Sequence, residues 1–364
     1  MSTSVMQKII TYDVGSLPST SFEMSFKEIK NNVELHDKFQ ASVVSGLIDK
    51  LRVGIDIPNY PQYRNMIDMF IEMIGGIEKV GSRYIMFDKL MMRETEIPEV
   101  RIIRERIKDI YDIIGERVKI KICLTGPYTL SSVFMNRSPE LIKSLSDIIA
   151  RITAENIFKV RYGEIGLITL DEPVFGFLDD SLIEYKSEGR EALLNGWEKI
   201  FRVALSHDVS TSIHLHNTSD PLFWDVDSLQ IIESHVNDHI YYSSQTKSLL
   251  EEKDKFVKAS ICITDFNSLI INSLRAKYRE VDIPSMLANV WRDIRRGFIN
   301  PVTYLETPEI MEKRLRKIIQ NLGIERVRYA GPECGLKGFP NYETAMEYLR
   351  RVVIAVDNVN KSQV

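Results

Sequence analysis

Eight short runs of β-branched and apolar residues alternate along this chain with segments of helical periodicity, and that alternation restricts the fold more than any other feature. The runs are KIITYDVGS, SRYIMFD, VKIKICLTGP, IGLITLDEP, VSTSIHLHN, DHIYYSSQ, FVKASICITD and RVRYAGPEC. The segments between them carry helix signals. In RSPELIKSLSDIIARITAENIF, Ser138 is placed to cap and Pro139 to open a helix, with Leu141, Leu145, Ile148, Ile149 and Ile152 along one face. ETPEIMEKRLRKIIQNLG repeats the device with Thr307, Pro308 and a terminal Gly323. Strands that come singly, each followed by a helix, pair in parallel, and eight such units predict an α/β fold of the (β/α)8 barrel type. A doubly wound sheet would call for a glycine-rich phosphate turn after its first strand, and DVGSLPST is not one. No linker, repeat or low-complexity tract divides the sequence, so residues 1–364 are expected to form one barrel domain, with an extra helical segment between the first two strands.

In a barrel, chemistry collects where strands end. The predicted ends are Gly15-Ser16, Asp88, Thr125-Gly126-Pro127, Asp171-Glu172-Pro173, His214-Leu215-His216, Tyr242-Ser243, Thr264-Asp265 and Glu333-Cys334. Acids, imidazoles, hydroxyls and one thiol should therefore meet at one mouth. His214 and His216 are two apart on a strand and project to one face. With Cys334, held in the constrained loop GPECGLKG, they offer two imidazoles and a thiolate, a donor set suited to zinc. A pair of hydrogen-bonded strand-end histidines is the alternative. Asp171 and Glu172 follow an apolar strand and are candidates to bind a substrate amine or hydroxyl, or to cap a helix. His235 and His239 flank an expected turn and read as surface or core residues. Cys123 and Cys262 sit among aliphatics and read as core.

The remaining composition excludes several function classes. A net charge of −4 and a pI near 6.0 leave no basic footprint for nucleic acid. No run is long and apolar enough for a membrane span, and the first fifteen residues lack the apolar core of a signal peptide. Three widely spaced cysteines suit a reducing compartment, so a cytoplasmic location is expected.

Taken together and in order, VGSLPST, GSRYI, LTGPYTL, LDEPVFG, IHLH and GPECGLKGF resemble the catalytic C-terminal barrel of the cobalamin-independent methionine synthase family. The likeness runs over essentially the whole chain, in the manner of the short, single-barrel archaeal forms. It implies a (β/α)8 barrel of the methionine synthase and uroporphyrinogen decarboxylase superfamily, in which zinc binds and ionises a substrate thiol. It also implies ligands from His-x-Cys after one strand, a glutamate after the next, and the cysteine of the final CGLK. On these motifs His216 matches the histidine and Cys334 the last cysteine, with His214 or Glu333 as further candidates. Thr218 and Ser243 stand where the other two ligands are expected. Ser16 and Asp171 match substrate contacts of the family. Tyr60 falls near the position of its amine-holding glutamate, Val133 near that of its pterin-stacking tryptophan, and NPVTYLETP lacks its late histidine.

Two functions follow from the resemblance. One is a methyltransferase of methionine biosynthesis, moving a methyl group from a corrinoid or pterin to a homocysteine-like thiol, with Ser16, Asp171 and Glu172 on the substrate and zinc on His216 and Cys334. The other is a metal-free paralogue, either of altered chemistry or a non-catalytic partner of a complete methionine synthase.

Overall fold

The computed structural model describes residues 8–19, 21–177, 179–278 and 282–362. Residues 1–7, part of the stretch read against a signal peptide, and Thr20 of the VGSLPST motif lie outside the described residues. The strands are β1 (Ile10–Thr11), β2 (Ile74–Val80), β3 (Arg83–Met92), β4 (Val118–Thr125) and β5 (Lys159–Val160). They continue with β6 (Gly163–Glu172), β7 (Ser210–Leu215), β8 (Ile231–Glu233), β9 (Phe256–Cys262) and β10 (Val327–Pro332).

Eight of these form one curled sheet in the order β1-β10-β9-β8-β7-β6-β4, with β5 added antiparallel on β6. Every other pairing in it is parallel. The segment 57–62 lies against both outer strands of this order. Ile57 and Gln62 donate their N–H groups to the carbonyls of Thr11 and Gly15 beside β1. On the other side, Tyr60 N–H meets the Lys121 carbonyl and Lys121 N–H meets that of Pro58. Pro58 and Pro61 have no N–H to give, so the segment bonds at points rather than as a continuous ladder.

Two of the eight predicted strands are corrected. SRYIMFD lies in β3, which pairs antiparallel with β2 in a separate two-stranded sheet. Gly81, at φ 62°, opens the two-residue turn that folds these strands back on each other. DHIYYSSQ is not a strand. Asp238 accepts a hydrogen bond from Ile240 N–H and caps a 3₁₀ turn over His239–Tyr241, which runs into the helix Ser244–Glu252. The strand of this region is the three-residue β8 just upstream.

Alternation along β6 separates two cores. Ile168 and Leu170 join the large cluster between sheet and helices, whereas Leu167 packs with Tyr12, Ile57 and Ile231 in a small one on the other face. The helices begin as their sequences direct. Ser138 Oγ accepts from Leu141 N–H at the head of Pro139–Asn156, and Gly323, at φ 89°, ends Pro308–Leu322. Thr307 precedes Pro308, but its side chain makes no capping bond. The helices Phe26–Asn31 and Val33–Arg52 follow β1. The second carries the fully buried Lys50, which pairs with Asp13 at 2.7 Å.

Candidate metal centre

One rung of the parallel ladder builds the site. Thr125, Asp171, His214 and Glu233 are register partners across β4, β6, β7 and β8, so their side chains leave one face of the sheet together. His216 follows His214 by two residues and His235 follows Glu233 by two. Cys334 lies two residues beyond the end of β10. Ligand atoms of His214, His216, His235 and Cys334 all come within 4.8 Å of one another. The rings of His216 and His235 are 4.0 Å apart by centroid, those of His214 and His216 5.3 Å.

The loop of Cys334 is held from three sides. Ser16 accepts the Leu336 N–H at 2.9 Å through its carbonyl, and a Cβ on Gly335 would overlap Ser16 Oγ and force that side chain to shift. Glu333 is buried and accepts the N–H groups of Val236 and Thr264 at 2.8 and 2.9 Å. Its carboxylate thereby ties the turns after β8 and β9, and with them His235, to the loop of Cys334. A cavity of about 560 Å³ opens beside this junction, lined by His235, Asn237, Thr264, Asp265 and Cys334 among others.

The electrostatics follow from burial and neighbours. His214 is fully buried. Burial disfavours its cation, but the Asp171 carboxylate, the Cys334 sulfur and Glu233 outweigh it and push the pKa up to about 10. His216 moves the other way, down to about 2, through burial and the neighbouring charges of His214 and His235. His235 falls to about 4, through burial first and then the charges of His214 and Lys258, against the pull of Asp238. Glu233 would be raised by burial, yet Lys258 at 2.8 Å and Lys121 at 3.9 Å hold it well below the usual carboxylate range. Asp171 is raised, chiefly by burial.

Among the described residues, both nitrogens of His214, Nε2 of His235 and Oδ1 of Asp171 are buried without a hydrogen-bond partner. Buried polar atoms left this way are costly. Orphaned imidazole nitrogens of His214 and His235 beside a thiol fit a cation that accepts nitrogen and sulfur donors, zinc above all.

The other residues singled out from sequence lie as follows. Glu172 faces away from the mouth, since neighbours on a strand point to opposite sides. Its oxygens accept Tyr128 N–H, Thr129 N–H and Trp197 Nε1–H at 3.0, 2.7 and 2.9 Å, which anchors the helix Pro127–Ser131. Burial raises its pKa to about 7 against these bonds. Thr218 Oγ1 is engaged by Asp238, and Ser243 heads the helix Ser244–Glu252. Tyr60 is buried with its hydroxyl on the Cys123 carbonyl, Val133 pairs its carbonyl with Tyr84 N–H, and His239 is exposed beside Asp238. Cys123 and Cys262 are buried in the core, and all three cysteines are free. Sequence reasoning missed His235 and Glu233 as site residues. The signal was the short apolar run LQIIE ending in an acid, overlooked when the following DHIYY was read as the strand.

No family profile matches the chain. A curated methionine synthase of Sulfolobus acidocaldarius is 20% identical over 322 residues, covering 85% of this chain and 79% of that protein. Among solved structures, the B12-independent methionine synthase of Shewanella sp. W3-18-1, in complex with selenomethionine, superposes with a TM-score of 0.61 at 14% identity. That likeness covers 98% of this chain and 99% of that one. A putative vitamin-B12 independent methionine synthase of Listeria monocytogenes gives 0.58 at 15% identity, covering 97% and 99%. The chain thus resembles a curated methionine synthase in sequence and shares with B12-independent methionine synthases a mixed α/β fold with a largely parallel sheet. Among the described residues, no helix is long and apolar enough to cross a membrane.

Proposed function

We propose that this protein is a zinc-dependent methyltransferase of the methionine-synthase type, which methylates the thiol of a homocysteine-like amino acid. The observation that carries the reading is the convergence of His214, His216, His235 and Cys334 from three strand ends within 4.8 Å. These four residues would hold the metal. In this reading His214-x-His216 takes the place of the His-x-Cys pair, two residues earlier than the match of His216 and Thr218 implies. The second cysteine is then replaced by His216. The position of the glutamate expected after the next strand corresponds to Glu233 rather than Ser243, but Glu233 stands outside the cluster and His235, two residues on, supplies the fourth donor. When bound, zinc supplies a substrate thiolate at neutral pH.

The chain's own groups do the rest. Asp171, whose Oδ1 is buried and unpartnered, receives the substrate ammonium. Ser16, packed on Gly335, completes the substrate side, while Glu172 supports the helix Pro127–Ser131 from behind. In the transfer, the S–CH3 bond forms as the donor–CH3 bond breaks, and that electron pair stays on the donor, a corrinoid or a simple pterin. The thiol proton has left beforehand.

The same reading takes the sheet as a closed (β/α)8 barrel and residues 1–364 as one domain. It is supported by the hydrogen bonds of segment 57–62 to β1 and β4, and by Ile57 joining Tyr12, Leu167 and Ile231. We place the enzyme in the cytoplasm.

Elemental analysis of the purified protein, with mass spectrometry of homocysteine incubated with methylcobalamin or methyl-tetrahydropteroylmonoglutamate, tests the function. One zinc per chain and methionine as product are expected. A chain that stays metal-free after zinc incubation and forms no methionine overturns the reading in favour of a metal-free paralogue or a non-catalytic partner subunit.

A further inference from the structure

A cavity of about 630 Å³ lies beside the loop of Cys334 and contains none of the four clustered residues. The hairpin β2–β3 forms one wall. Lys79 and Tyr84 are register partners across it, and Ile77 is two residues from Lys79, so all three share one face and line the cavity. Tyr84 is pinned through its backbone. Its N–H reaches the Val133 carbonyl and its carbonyl takes the Met135 N–H, both at 2.9 Å. Lys79 Nζ stands 5.7 Å from the centre of the Tyr84 ring. The Arg93 side chain lies against Gly75 of β2, where a Cβ would come within 3.1 Å of Nε. The cavity's charges sort by pairing. Arg64 is buried, and Glu99 holds its guanidinium at 2.8 and 2.9 Å with Glu72 as a second partner. Glu23 lies 3.3 Å from Lys337. Asp68 is the remaining acid, whereas Lys79 and Arg93 pair with no carboxylate among the described residues. An aromatic wall carrying two unpaired cations is a recess for a flat ring with an anionic end.

We propose that this cavity is a second small-molecule site, which takes an aromatic carboxylate. The ring stacks on Tyr84 and Ile77, and the carboxylate meets Lys79 and Arg93, whose guanidinium fork matches its two oxygens. An amino group on the ring gives Asp68 its partner. The volume suits one small ligand, within the range of about 300–1,000 Å³ for such pockets. The site stands without the metal reading, since none of its residues belongs to the cluster. Lys337 nevertheless ties it to that centre, at most about 11 Å of extended chain beyond Cys334. The same chemistry therefore has two sources. One is the benzoyl-glutamate tail of a pterin methyl donor whose methyl group reaches the mouth. The other is a free aromatic acid that binds alongside the substrates.

The probe is p-aminobenzoyl-L-glutamate, titrated by calorimetry into the full chain with and without added zinc. Saturable binding is expected in both cases, weakening as salt is raised. Lys79→Met and Arg93→Met should each weaken it about fivefold, and the two together about 20-fold. Both side chains are exposed, so circular dichroism should show these variants folded. Tyr84→Leu should weaken binding as well. Lys143→Met, on an exposed position of the helix Pro139–Asn156, controls for net charge and should bind as wild type. No binding of the probe overturns the proposal. So does full affinity in the Lys79→Met/Arg93→Met protein, or equal binding of the uncharged diamide of the probe. Competition separates the two sources, and either result sustains the site. Displacement of the probe by methyl-tetrahydropteroylmonoglutamate makes the cavity the seat of the donor's tail. A probe that is not displaced makes it a site for a free aromatic acid. A chain that takes up no zinc sinks the metal reading and leaves this test as it stands.

Discussion

Sγ of Cys334 lies 3.7 Å from Nε2 of His216, across 118 positions of sequence. Sulfur and imidazole nitrogen bound to one tetrahedral zinc at ordinary bond lengths stand roughly 3.6 Å apart. The pair is therefore spaced as two ligands of one ion without requiring the loop to move. The spacing is set by the backbone, through Ser16 against Gly335 and Glu333 against Val236 and Thr264. Cys334→Ser should leave this scaffold intact and remove the only thiolate donor of the cluster. Zinc affinity is expected to fall by more than the roughly 10–100-fold that loss of a supporting residue costs. Cobalt titration would show the loss directly, as disappearance of the thiolate charge-transfer band. Unchanged affinity would exclude Cys334 as a ligand.

Asp171 carries the prediction for substrate binding. Asp171→Asn keeps the shape but not the charge, and should weaken binding of an amino-acid thiol by about 1.5–3 kcal/mol, the scale of a hydrogen bond to a charged group. Burial, offset in part by His214, raises the Asp171 pKa, so the carboxylate takes up its proton at a higher pH than a free aspartate. Affinity for the ammonium group should accordingly begin to fall, on acidification, at a higher pH than a free aspartate would give. Calorimetry at several pH values reads both effects. Equal affinities for the two proteins would remove Asp171 from the substrate site.

What could be read in the sequence, and what could not, divides along physical lines. Strands long enough to show their pattern, such as IGLITLDEP and FVKASICITD, are where they were expected, and so are the helices with Ser138 and Gly323 at their ends. The segment 57–62 was missed because Pro58 and Pro61 make it look like a loop, although its remaining N–H groups reach β1 and β4. β8 was missed because three residues carry no period. That second miss moved a strand end by about ten positions, which is why Ser243 was weighed as a ligand position while His235 and Glu233 were passed over. The chemistry of the site was legible in residue types. Its register was not, because the register depends on which residues stand side by side across β6, β7 and β8.

Glu172 offers a test of the support behind the site. Its folded pKa of about 7 lies above the ordinary 4.5, so between those values the folded state holds more protons than the unfolded. For an acid shifted upward, stability is lost as pH rises through that window. Glu172→Gln removes the titration. Relative to wild type, the variant should gain about 2–3 kcal/mol between pH 5 and pH 7.5, measured by urea unfolding. A pH-independent difference between the two proteins would contradict this assignment.

The last prediction concerns protons released on metal uptake. Every ligand must be deprotonated to coordinate, so binding ejects whatever protons the free site holds. Three unperturbed imidazoles at pH 6 would together hold about two. This site differs, because burial and the neighbouring charge of His214, with Lys258 beside His235, keep His216 and His235 neutral down to about 2 and 4, whereas Asp171, Cys334 and Glu233 keep His214 charged up to about 10. The three histidines should therefore release close to one proton at pH 6, and still one at pH 8, where ordinary imidazoles would release almost none. Calorimetry of zinc binding in buffers of different ionisation heat counts these protons, and Cys334→Ser separates them from the thiol's contribution. Asp171→Asn should lower the His214 share at pH 8, since it removes the carboxylate that holds the charge there. A histidine-derived count that falls from about two at pH 6 toward zero at pH 8 would mean that the three rings behave as exposed ones, and would contradict the buried, mutually coupled cluster.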